Sequence, residues 1–85
     1  MTDTGRSLIS AEYWKADSAY RIAQEKFWTA NEALRDISVG GKPDPKFAPE
    51  IIRELEDANR KAYENLTATH AVYKVLKEMA GKIGV

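Results

Sequence analysis

The chain has 85 residues, no cysteine, and 13 Lys plus Arg against 13 Asp plus Glu. It makes one domain at most, with a marginal core, because a chain this short buries only roughly 60–65% of its unfolded surface. A disulfide or a thiolate metal site is excluded as a staple, and interspersed charge of both signs provides no basic field to hold a nucleic-acid backbone.

Residues 1–7 read as a flexible, polar N-terminus. Met1-Thr2-Asp3-Thr4-Gly5-Arg6 has an early acid and no apolar run after it, so it does not read as a secretory signal. No later stretch approaches the ~18 apolar residues of a membrane span. The expectation is a soluble chain, most simply cytoplasmic. Ser7 or Ser10 is the expected cap of a first helix over about residues 8–38.

From Tyr13 the apolar positions are Tyr13, Ala16, Tyr20, Ala23, Phe27, Ala30, Leu34 and Ile37. Their spacing alternates three and four without an error, the heptad seam by which helices pack side by side. One series is large and the other is alanine until Ile37, so a neighbouring helix is expected to come close, with rings lying over the alanines. Trp14 and Trp28 fall outside the seam. Trp28 is expected to flank it beside Phe27, and Trp14 to point nearly away, near Arg21 and Glu25. Two readings stay open: a wide bundle buries both rings, or the rings, with Arg21, anchor a partner as binding hot spots do.

Gly40-Gly41-Lys42-Pro43-Asp44-Pro45-Lys46-Phe47-Ala48-Pro49 breaks the pattern. The glycines are expected to stop the first helix, and the three prolines forbid helix and stiffen loop 39–48. Pro49 suits the first position of a second helix over about residues 49–80, and Glu50 complements its dipole. The second seam runs Ile52, Leu55, Asn59, Ala62, Leu66, Thr69, Tyr73, Leu76, Ala80 and Ile83. Asn59 and Thr69 interrupt it, either fixing register or sitting as tolerated edge residues. Glu56–Arg60, Asp57–Lys61 and Lys74–Glu78 are spaced as supporting ion pairs. Gly81 is the expected left-handed stop before a short tail, 81–85. Between Leu66 and Ala80 apolar residues go most of the way round the helix, so it must be covered on more than one side. Leu66, Val72, Val75, Leu76 and Met79 are the expected oligomer interface.

Motifs for chemistry are absent. His70 has no carboxylate or second His one helical turn away and reads as an edge residue of the bundle. The carboxylates fall beside bases on outer faces. Gly40-Gly41 follows no strand pattern and is not read as a phosphate cradle. No catalytic residue, metal ligand or cofactor site is expected, and the chain is read as not an enzyme.

Asp44-Pro45 through Pro49, then Glu54-Leu55, then Lys74-Val75-Leu76-Lys77-Glu78 and Ile83 resemble the turn and C-terminal helix of type III secretion needle subunits. Those are also short helical hairpins, with an Asn/Asp/Pro-rich turn. The likeness covers the C-terminal half. It implies a filament in which that helix is packed on all sides. The first helix departs from the family in its aromatic/alanine heptad and its two tryptophans.

The expected fold is all-α: an antiparallel helical hairpin, residues 8–85, that dimerises into a four-helix bundle. The expected function is a small non-enzymatic protein-interaction module, an adaptor, inhibitor, chaperone or regulator. Its expected partners are a second copy of itself and another protein, with no nucleic acid and no membrane. The alternative is a structural subunit of a larger, needle-like assembly.

Overall fold

A computed structural model of the protein describes residues 3–84. The chain is an all-α antiparallel hairpin. Helix α1 spans Asp3–Asp36 and helix α2 spans Pro49–Lys82. A minimal ribbon joins them, with β1 at Ser38–Val39 paired to β2 at Lys42–Pro43. Residues 1 and 2 of the expected flexible N-terminus lie outside the described residues, and residues 3–6 are helical. Ser7 and Ser10 therefore lie inside α1 and cap nothing.

The connection carries the first correction. Gly40 and Gly41 do not end the first helix, which already stops at Asp36, ahead of β1. They form the two-residue turn of a β-hairpin in which Val39 pairs with Lys42. Both take positive φ, 63° and 81°. That pair of values is the signature of the primed turns whose twist matches the strands, and glycine supplies it without steric cost. Ser38 Oγ donates to Leu34 O at 2.6 Å, satisfying a carbonyl in the last turn of α1. Asp44 N donates to Ile37 O at 2.8 Å and carries the pairing one step further. Asp44 Oδ1 then accepts from Lys46 N at 3.0 Å. Ala48 is extended, with φ −60° and ψ 139°, and Pro49 follows at the start of α2. The residue before a proline is pushed to this region, so the chain enters the helix without a side-chain cap.

Gly81 is not the stop of α2. It is helical, and Gly84 takes the left-handed conformation instead, with φ 74°. Gly41 and Gly81 should respond oppositely to substitution: a Cβ meets nothing within 4 Å at either, but only Gly41 has a positive φ. Gly41→Ala should cost about 1–2 kcal/mol through left-handed strain alone. Gly81→Ala should stabilise by about 0.5–1 kcal/mol through helix propensity. Thermal denaturation followed by circular dichroism separates the two; equal shifts of the same sign would contradict the assigned backbone.

Both seams form as spaced. Every position from Tyr13 to Ile37 in the first series, and from Ile52 to Ile83 in the second, is at least half-buried, while the residues between are mostly exposed. The buried core is small: Ala16, Ala23 and Ala80, with Ala23 fully closed at 0% exposure. The large rings of the two helices pack on one another. Tyr73 lies between Tyr13 and Tyr20, with ring centroids 5.8 and 5.1 Å away. His70 extends the stack against Tyr20 at 5.1 Å, and Phe27 meets Tyr63 at 5.7 Å.

Thr69 is neutralised within its own helix, its hydroxyl donating to Asn65 O at 2.9 Å and Leu66 O at 3.1 Å. Asn59 keeps its amide Nδ2 away from solvent with no hydrogen-bond partner, which opposes stability. Of the expected ion pairs, Asp57–Lys61 closes at 2.9 Å. Arg60 turns to Asp57 and Glu64 rather than Glu56. Lys74 and Glu78 form no ion pair with each other, and Lys77 lies over the Tyr73 ring at 5.8 Å.

Two helices side by side make a thin ribbon, 61 × 20 × 13 Å in its principal extents, with a radius of gyration of 18.2 Å. A compact chain of this length would have about 12 Å. Among the described residues no large side chain is fully buried.

Candidate interaction surfaces

The heptad register divides the ribbon into two broad faces that differ in chemistry. On α1, Trp14, Arg21, Trp28 and Arg35 follow one another at seven-residue steps. Each step is about 10.5 Å along a helix, so the tryptophans stand about 21 Å apart with an arginine between them. Trp14 is 60% exposed and Trp28 63%. This corrects the expected difference between them. Fourteen residues are two full heptads, so in a pair of helices whose seam repeats every seven residues both rings return to the same angular station. Neither is buried by the hairpin itself.

Local contacts hold this column in place. Trp14 stands edge-on to Tyr13, with ring centroids 5.1 Å apart and planes at 71°. Arg21 Nε donates to Asp17 Oδ2 at 3.1 Å, one turn back, and the rest of the guanidinium stays exposed. Hydrogen bonding with Tyr73, then burial, then the charges of Tyr73 and Asp17, push the Tyr13 phenol above its ordinary value of 10.0. A shallow depression beside Trp28 is lined by Gln24, Glu25 and Thr29. Two aromatic plates with a fixed arginine between them are suited to anchoring a partner: they bring large rigid area, little rotamer entropy to lose, and one bidentate donor.

The opposite face carries small aliphatic residues interspersed with Glu12, Lys26 and Asn65. Ala16 and Ala19 of α1 line a groove with Ala68, Thr69 and Val72 of α2. Further along, Ala30 and Ala33 face Ala58, with Lys26 and Thr29 at the margin. Val72, Val75 and Met79 of the expected oligomer interface are exposed, and they lie in the α2 columns that carry Ala58 and Ala68. Leu66 and Leu76 belong to the seam itself, half-buried within the hairpin. Sequence reading grouped the five by proximity along the chain; the register separates the two seam leucines from the three outer residues.

Among the described residues there is no group of three His, Cys, Asp or Glu side chains able to hold a metal ion. His70 is exposed and held only by its stack on Tyr20. No helix in the described residues is long and apolar enough to cross a membrane. No protein-family model, curated protein or solved structure matches the chain.

Proposed function

We propose that this protein is a small non-enzymatic interaction module, an adaptor, inhibitor, chaperone or regulator, working in the cytoplasm as a homodimeric four-helix bundle. The observation that supports this reading is the Trp14–Arg21–Trp28 column: two tryptophans that the hairpin leaves exposed, arranged about an arginine that Asp17 fixes in place. Hot-spot residues are drawn from these types, and an exposed ring with no structural use is a liability to solubility.

The test is binding by variants that leave the fold intact. Trp14→Ala and Trp28→Ala should keep the helical circular dichroism and the mass of the wild type. A partner captured from the native organism and then purified should bind Trp14→Ala about thirtyfold or more weakly, about 2 kcal/mol. Unchanged affinity for both variants would remove the column from the function. Loss of helicity in Trp14→Ala would make that ring part of the core.

The alternative, a structural subunit of a larger assembly, draws on the two unlike faces, each with exposed apolar residues. Unlike faces that meet head-to-tail give open growth, whereas one face meeting its own copy gives a closed pair. Scattering mass that keeps rising with concentration would favour the assembly subunit; mass that stops at a pair favours the module.

A further inference from the structure

We infer that a second copy of this chain seats on the face lined by Ala19, Ala33, Ala58, Ala68 and Val72, and that the Trp14–Arg21–Trp28 column stays outward on both copies. The inference rests on the interaction-module reading and deepens it by assigning the two faces different occupants.

The first support is area. The chain exposes 6388 Å² for a mass of 9.5 kDa. A compact monomer of that mass exposes about 5,050 Å², so this ribbon carries roughly 1,300 Å² in excess. A standard interface removes about 800 Å² from each partner, and obligate homodimers remove more. Covering one broad face of the ribbon with an identical ribbon therefore brings its surface close to that of a folded protein of its size.

The second support is fit. On this face α1 offers small residues, Ala19 and Ala33; α2 carries the larger Val72 at the height of Ala19 and another small residue, Ala58, at the height of Ala33. A two-fold axis parallel to the helices places α1 of one copy against α2 of the other, at the same height and antiparallel. Val72 of each copy then enters the groove between Ala16 and Ala19 of its partner. The small residues let the backbones approach, and the exposed Val72, Val75 and Met79 fill the space they leave. The opposite face is unsuited to this seat. There the same axis would set the bulky ridge of Trp14, Arg21, Trp28 and Arg35 against the α2 column of Arg53, Arg60, Thr67 and Lys74, so that cations face cations.

The absence of native cysteine makes a clean test. Single-cysteine chains, Ala19→Cys and Val72→Cys, are mixed, refolded together and oxidised. Gln24→Cys mixed with Thr67→Cys, on the tryptophan side, serves as the control. The expected result is a disulfide-linked pair from the first mixture, at least tenfold faster than from the second. Val72→Glu, 54% exposed in the hairpin, should halve the light-scattering mass, while Thr67→Glu should not. A pair that cross-links only through Gln24 and Thr67 overturns this seat and leaves the homodimer standing. A fully helical, cooperatively folding wild-type monomer at micromolar concentration overturns the seat and the homodimer together. Loss of partner binding by Trp14→Ala, with the Ala19/Val72 cross-link retained, supports the separate use of the two faces. If partner binding instead competes with that cross-link, the division of faces is wrong.

Discussion

Tyr73→Ala should be among the most damaging single substitutions in the hairpin, lowering stability by about 2–4 kcal/mol in chemical denaturation at fixed protein concentration. Tyr73 is the ring through which α2 grips α1: Tyr13 stacks on it at 5.8 Å and Tyr20 at 5.1 Å. Each aromatic pair contributes about 0.5–1.5 kcal/mol beyond the area it buries, and truncation loses two pairs as well as the area. Tyr63→Ala is the matched control. That ring meets only Phe27 and is mostly exposed, so about 1 kcal/mol is expected. If the two variants lose equal stability, the ring stack is not what joins the helices.

The second large effect should come from adding volume. Ala23 is 0% exposed, in the seam between the two helices. Leucine there must force the helices apart or leave its rotamer wells, costing about 1–3 kcal/mol. Substitution of the exposed Ser18, on the outer side of the same helix, should change stability by less than about 0.5 kcal/mol. The midpoint of urea unfolding checks both. An unchanged midpoint for Ala23→Leu would mean that the alanine series does not face the partner helix.

Both seams were legible residue by residue because amphipathic periodicity records directly which side of a helix is covered. The seam from Tyr13 to Ile37 needed no tertiary information. The ribbon at Ser38–Pro43 was not legible as a strand pair, since two-residue strands carry no alternation. The available signal was Gly-Gly between Val39 and Lys42, and it also fits a helix stop. The start of α1 was read too late because Asp3 to Arg6 contribute no apolar residue to the pattern. Gly81 misled because glycine near a helix end is usually a cap, whereas here the last turn continues past it and Gly84 takes the positive φ. In the candidate site, the shared station of Trp14 and Trp28 is not legible from the 100° per residue of a straight helix. Over two heptads that count drifts by about 40°, and a packed pair of helices removes the drift.

The thin ribbon also bears on how its assembly must be measured. Hydrodynamic methods report size through shape, and a radius of gyration of 18.2 Å belongs to a compact chain of roughly 260 residues. A lone hairpin will therefore elute from a sizing column ahead of globular standards of its own mass and can be mistaken for a larger species. Stacking a second ribbon on one face adds mass while hardly lengthening the particle. Elution volume should then move little on dimerisation even as mass doubles, so retention time alone is a poor gauge and sedimentation or scattering mass is required.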